Sequence, residues 1–128
     1  MKTIGQLVTE REKPLHDISS EATVQAAIHI MSSESLSALP VMENDQLVGI
    51  ISERDCIRKV AAKNIPAWSV KIQEVMTKDV ITIDVDSPLE ECMRLMTANR
   101  IRHLPVMDEG ELATVISITD VVSALYPD

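Results

Sequence analysis

The sequence predicts an α+β fold, a mixed α/β arrangement of two βαββα repeats packed through their sheets with pseudo-two-fold symmetry. Three observations predict it. First, a stretch occurs twice. Leu39-Pro40-Val41-Met42, a polar turn and Leu47 through Asp55 return as Leu104-Pro105-Val106-Met107, a polar turn and Leu112 through Asp120, at a gapless offset of 65 residues. Eight identities in this 17-residue window are hard to reach by chance, and an internal repeat fixes the architecture. Second, an amphipathic helical pattern precedes each copy. Third, each copy reads as two strands about a tight turn. One such unit cannot bury its own apolar face, and two can.

Composition sets bounds. The 128 residues suit one domain-sized unit. Hydrophobic residues make up 45% of the chain, with no Phe, one Trp and one Tyr, so the core must be aliphatic. A net charge of −8 argues against nucleic-acid binding, which needs basic surface to displace counterions. It leaves room for a small anion held by a local Arg and His cluster. No apolar run approaches the ~20 residues that span a bilayer, and the first residues lack an apolar signal region. The chain reads as cytoplasmic. Cys56 and Cys92 fit no metal or Cys-x-x-Cys spacing and read as free thiols, Cys92 replacing Ala27 as a small buried side chain.

In chain order, residues 1–63 are repeat one with an N-terminal segment, 64–71 a linker and 72–128 repeat two. Ile4, Leu7 and Val8 share their apolar spacing with Ile72, Val75 and Met76 at an offset of 68. Repeat one therefore carries three extra residues, placed within Glu10 to Lys13. Leu15 to Ile18 and Val80 to Val85 are expected as first strands, the second on its β-branched content. In the helix of repeat two, Ser87 is expected as N-cap, with Pro88 at N1 and Glu90 closing a capping box. Its apolar face is Leu89, Cys92, Met93 and Met96, and the counterpart in repeat one is Val24, Ala27, Ile28 and Met31. These helices end near Ser32 to Glu34 and Thr97 to Asn99. Hairpin turns follow at Glu43 to Gln46 and Asp108 to Glu111, rich in Asn, Asp or Gly. Pro40 and Pro105 suit strand beginnings or edges. A last helix opens after Ser52 and after Ser117.

These features, two βαββα units each with a Leu-Pro-Val strand and a Ser-x-x-Asp segment opening its final helix, resemble a tandem pair of CBS domains. Ile51-Ser52-Glu53-Arg54-Asp55 and Arg100-Ile101-Arg102-His103-Leu104-Pro105-Val106 are similar to the small stand-alone bacterial type. The resemblance covers almost the whole chain. It implies a non-enzymatic regulatory module that binds AMP, ADP, ATP, S-adenosylmethionine or NAD(H) in clefts between repeats. It further implies a flat homodimer and a possible regulated protein partner.

Candidate site residues carry two readings each. Ser52 and Ser117 are natural N-caps, and Asp55 and Asp120 three residues on are first-turn stabilisers. A carboxylate there can also accept both hydroxyls of a ribose, and the resemblance implies that role for Asp55. Arg102 and His103 are either solvated side chains at a strand start or phosphate donors. The resemblance places phosphate contacts there, while the matching Ser37 and Ala38 carry no charge. It implies a better phosphate-bearing cleft of Ser52, Asp55, Ile81, Thr82, Ile83, Ile101, Arg102 and His103. There Ile81 to Ile83 face the adenine edge and Ile101 packs on the base. Arg54 supplies a further charge or stays at the surface. The opposite cleft, of Ser117, Thr119, Asp120, Ser37 and Ala38, is expected to be weaker. The glycine expected in the second hairpin strand is present as Gly49 but is Thr114 in repeat two, where a β-branched side chain closes backbone access.

No other chemistry converges. His16, His29 and His103 are too scattered for a metal site. Nothing orients Cys56 as a nucleophile, and no phosphate-cradling glycine loop occurs. The seven Met residues fit core spacing. The alternative function is a structural dimerisation or partner-docking module without a nucleotide, and an enzyme ranks third.

Overall fold

Each repeat builds its sheet around a hairpin. The computed structural model describes residues 3–10 and 15–127. Arg11 to Lys13, most of the expected insertion, therefore lie outside the described residues. The elements run α1 (Ile4–Thr9), β1 (Ile18–Ser19), α2 (Val24–Ser33), β2 (Ala38–Glu43), β3 (Gln46–Ser52), α3 (Glu53–Lys59), α4 (Ile72–Val75), β4 (Ile83–Asp84), α5 (Leu89–Asn99), β5 (His103–Asp108), β6 (Glu111–Ser117) and α6 (Ile118–Leu125). Short 3₁₀ turns occupy Ala61–Lys63 and Ala67–Ser69. The expected α+β class is observed, with two three-stranded mixed sheets of order β1-β2-β3 and β4-β5-β6.

The hairpins follow from turn chemistry. Asn44 and Asp45 take φ of 49° and 62°, and Glu109 and Gly110 take 50° and 82°. Two consecutive left-handed residues match the twist of a two-residue hairpin. They close the pairs Glu43↔Gln46 and Asp108↔Glu111, so both turns fall where the sequence places them. The register slips by a bulge at Val41/Met42 and again at Val106/Met107.

Pro40 lies inside β2, opposite Ile50. Ile50 spends both backbone groups on Thr77, donating at 3.0 Å and accepting at 2.9 Å. The Pro40↔Ile50 pair therefore needs no ladder bond, and the missing N–H of proline costs nothing there.

The first strands are shorter than expected. β1 begins at Ile18 and β4 spans only Ile83–Asp84. Each pairs in parallel with two residues of its neighbour, Val41 and Met42 or Val106 and Met107. Leu15 to Asp17 and Val80 to Thr82 have no ladder partner, and for Val80 to Thr82 β-branched composition alone does not make a strand.

Helix α2 starts where Thr23 accepts from the Ala26 N–H at 3.1 Å. Helix α5 corrects the sequence reading. Its N-cap is Pro88, without a side-chain cap, rather than Ser87. The Ser87 N–H donates to the Asp84 carbonyl at 3.0 Å, and Asp84 Oδ1 accepts from the Asp86 N–H at 2.9 Å. This tight turn holds Ser87 outside the helix, so no Ser87–Glu90 box forms. Leu89, Cys92 and Met96 are buried as expected, with Met93 half-buried. In α2, Val24, Ala27 and Met31 are buried, but Ile28 is 41% exposed, and Ala26 and Ile30 pack on the core instead. The apolar stripe of α2 is thus turned by part of a residue step from the expected face.

The described residues fall into two compact units, His16–Val80 and Met1–Leu15 with Ile81–Asp128. The units and the sequence repeats are cut differently. Ile4 of α1 is fully buried among Leu104, Val106 and Ile116. Ile72 and Val75 of α4 join Leu39, Val41 and Ile51. Each leading helix therefore completes the core of the repeat it does not precede. The route is visible in the hydrogen bonds. Val24 N–H donates to the Val70 carbonyl, Ile72 N–H to Ala22 and Gln73 N–H to Ser20, all at 2.9 Å. These bonds stitch residues 70–73 onto the start of α2.

Candidate functional site

The Ser-x-x-Asp segments sit where a strand turns directly into a helix. Ser52 ends β3 and caps α3, and Ser117 ends β6 and caps α6. Ser52 Oγ accepts from the Asp55 N–H at 3.1 Å, while Asp55 Oδ2 accepts from the Ser52 N–H at 3.1 Å and from Ser52 Oγ at 3.0 Å. Ser117 Oγ accepts from the Asp120 N–H at 3.2 Å, and Asp120 Oδ2 accepts from the Ser117 N–H at 2.8 Å. Both are reciprocal capping boxes built with Asp, so the capping role of these residues is real.

The two carboxylates then differ. Asp55, with a side chain 13% exposed, pairs through Oδ1 with Lys59 Nζ at 3.0 Å. Lys59 also donates to the carbonyl of Val75 at 2.8 Å, the last residue of α4. The position matching Lys59 in repeat two is Ala124, which is buried. Asp120 instead lies in the electrostatic reach of His103. His103 pairs with Ser117 across the β5–β6 ladder, and Ala38 occupies the same place opposite Ser52.

Arg102 and Ser37 hold equivalent backbone posts. The Arg102 carbonyl accepts from the Ile118 N–H at 2.8 Å, and the Ser37 carbonyl accepts from the Glu53 N–H at 2.9 Å. The Arg102 side chain is exposed, as are Arg54, Thr119 and Thr82. Ile81 and Ile101 are half-buried against their own core, and Ile83 is buried. Ser37, Ala38, Ser52, Arg54 and Asp55 belong to one compact unit. Ile81, Thr82, Ile83, Ile101, Arg102, His103, Ser117, Thr119 and Asp120 belong to the other.

Burial holds His103 below its ordinary value; Asp120 opposes this and Arg102 adds to it. At neutral pH His103 is therefore a neutral hydrogen-bonding ring, and Arg102 alone of this pair brings a full positive charge. Cys56 and Cys92 are buried free thiols whose pKa is pushed up to about 11, chiefly by burial. They are protonated at neutral pH and are poor nucleophiles. Among the described residues no His, Cys, Asp and Glu cluster suits a metal ion, and no helix is long and apolar enough to cross a membrane.

Gly49 needs correction. A Cβ there would lie 2.6 Å from Met76 Sδ and 3.0 Å from the Thr77 carbonyl oxygen. The space that glycine opens is filled by the chain itself rather than left for an approaching ligand. Thr114, its counterpart, is 3% exposed, and its buried hydroxyl has no hydrogen-bond partner among the described residues.

Two features were missed from sequence. Lys59 stands four residues after Asp55, a spacing that pairs side chains on a helix and was readable. The capping box Thr3-x-x-Gln6 of α1, with bonds of 2.8 and 3.1 Å, was equally readable. An open depression of about 510 Å³ lined by Thr3, Gly5 and Val85 to Glu90 had no sequence signal, and it includes none of the candidate residues.

Comparison with known proteins gives a consistent result. The family model of the CBS domain matches residues 5–62 and 72–127. The solved structure of a putative signal-transduction protein with CBS domains from Burkholderia ambifaria is 33% identical, with a TM-score of 0.93, covering 99% of this chain and 96% of that one. The CBS domain pair of protein MJ0100, solved in complex with 5′-methylthioadenosine and S-adenosyl-L-methionine, is 26% identical with a TM-score of 0.80, over 93% of this chain and 94% of that one. An inosine-5′-monophosphate dehydrogenase of Methanocaldococcus jannaschii is 40% identical over 112 residues, 86% of this chain. The chain spans only 21% of that enzyme's length.

Proposed function

We propose, because the chain belongs to the CBS-domain family as a tandem pair, that this regulatory module is a non-enzymatic sensor of adenosine-containing ligands. The ligands are AMP, ADP or ATP, with NAD(H) and S-adenosylmethionine as further members of the class. The observation that carries the reading is the doubled Ser-x-x-Asp at a strand-to-helix junction, in a family that includes a pair solved with two adenosyl compounds.

Asp55 is the ribose acceptor in this reading. Its carboxylate is fixed by the capping box, so little side-chain freedom remains to be lost on binding. Arg102 supplies the phosphate contact, because a guanidinium fork matches phosphate oxygens and its side chain is exposed. His103 adds a neutral hydrogen bond. Ser52 and Arg54 flank Asp55, and Ile81, Thr82, Ile83 and Ile101 serve the base. Ser117, Thr119 and Asp120, with Ser37 and Ala38, serve a weaker second site, which lacks an arginine at the position of Ser37. The module works as a homodimer and passes its state to a regulated protein. A ligand shifts that state only by binding one arrangement better than another.

The test is thermal melting of nucleotide-free protein against AMP, ADP, ATP, NAD, NADH and S-adenosylmethionine. A ligand at about 100 times its Kd adds ~2.7 kcal/mol, enough for a shift of several degrees. Asp55→Ala is expected to abolish the shift, and Arg102→Ala to weaken AMP more than adenosine. A flat panel overturns the reading. Equal losses for AMP and adenosine in Arg102→Ala overturn the phosphate role.

A further inference from the structure

We propose that Lys59 is a built-in competitor for the ligand at Asp55, and that adenosine binding must first detach it. The inference rests on the ribose reading of Asp55 given above and adds to it a residue that sets affinity.

Asp55 is short of acceptor sites. An ionised carboxylate offers about four lone-pair directions, two on each oxygen. Oδ2 of Asp55 already accepts from the Ser52 N–H and from Ser52 Oγ. Oδ1 accepts from Lys59 Nζ at 3.0 Å. One direction remains, whereas a vicinal diol brings two hydroxyl donors. Both can be received only if a present donor leaves.

The capping bonds are the worse choice to break. They hold the first turn of α3, and the Ser52 N–H has no other partner in that turn. Lys59 is the weaker member. Its side chain is 43% exposed, so water can take over its ammonium hydrogens.

The same ammonium is not a loose surface charge, however. Its 2.8 Å bond to the Val75 carbonyl holds it over Asp55 from a second element. Val75 ends α4, and Thr77 just beyond pairs with Ile50 of β3. Lys59 thus ties the carboxylate to the segment that leads out of this unit. A ligand that displaces Lys59 loosens that tie, which couples occupancy of Asp55 to the end of α4. Repeat two has Ala124 at this position, so no lysine stands four residues after Asp120.

The experiment compares wild type, Lys59→Met and Asp55→Ala by calorimetric titration with adenosine and, separately, AMP. Adenosine is the informative probe because it carries the diol and no phosphate. Melting of each ligand-free variant checks its fold, and Lys59→Leu, which also lacks a donor, replaces the Met variant if that one fails to fold. The expected result is about two- to five-fold tighter adenosine binding in Lys59→Met, the size of a part-exposed ion pair. Amide exchange at Thr77 is expected to quicken in ligand-free Lys59→Met, because the Val75 tie is gone. Unchanged or weaker adenosine binding in Lys59→Met, with binding still lost in Asp55→Ala, overturns the competitor role and leaves the nucleotide reading standing. Weaker AMP with unchanged adenosine makes Lys59 a phosphate contact and also overturns it. No adenosine or AMP binding by wild type overturns both the nucleotide reading and this one.

Discussion

Gly49 of β3 and Met76 beyond α4 occupy each other's space: a Cβ on Gly49 would stand 2.6 Å from the Met76 sulfur. The backbone of Gly49 is not left-handed, so the position needs the absence of a side chain rather than a special φ. What the glycine admits is the Met76–Thr77 segment, which hydrogen-bonds Ile50 on both sides of its peptide. The end of α4 is thereby locked onto the sheet of the unit it packs with.

Gly49→Ala is expected to destabilise the protein. Met76 is flexible and can retreat, but the Thr77 carbonyl at 3.0 Å is backbone and cannot without losing the Ile50 bridge. Overpacking of this kind costs about 1–3 kcal/mol. The reduced freedom of the unfolded chain returns only ~0.4–1 kcal/mol. The sign is therefore a net loss, read as a lower urea midpoint at unchanged slope. A midpoint equal to wild type would show that the segment moves aside freely.

Thr114 poses the opposite case. It is buried where Gly49 stands in the other repeat, and its hydroxyl lacks a partner among the described residues. A buried, unsatisfied hydroxyl costs about 1–3 kcal/mol. Thr114→Val keeps the shape and removes the polar atom. The variant is expected to gain about 1 kcal/mol, visible as a raised urea midpoint. A drop in stability would reveal a hydrogen bond to that hydroxyl.

These two positions also mark the limit of reading the chain from sequence. The hairpins were legible because Asn44-Asp45 and Glu109-Gly110 carry their own turn geometry. The capping boxes at Ser52 and Ser117 were legible because partners three residues apart meet whatever surrounds them. β1 and β4 were overextended because strand length depends on what the neighbour offers, here Val41 with Met42 and Val106 with Met107. Ile28 fits the helical spacing yet is exposed, since spacing locates a stripe only to within part of a turn. Ile4 and Ile72 share one local pattern, and nothing local says that each completes the other repeat's core. In the candidate site, Asp55 and its Lys59 partner were within reach of helix spacing, while the contact of Lys59 with Val75 and of Met76 with Gly49 needed the fold.

His103 gives the clearest pH dependence. Burial lowers its folded-state pKa below the ordinary 6.5, with Arg102 adding to the effect and Asp120 on α6 opposing it. Because the folded value is the lower one, the unfolded chain takes up this proton more readily. Stability is unaffected by the residue well above pH 6.5, begins to fall as the pH drops through 6.5, and stops falling from this source below the folded value. His103→Asn removes the titrating group from both states. Its midpoint is expected to fall less than that of wild type between pH 7.5 and pH 5.5, a difference isolated by denaturant titration of both proteins at matched ionic strength. Parallel curves for the two proteins would mean that the Asp120 carboxylate compensates the burial fully and that the His103 ring is as easily protonated in the fold as in the unfolded chain.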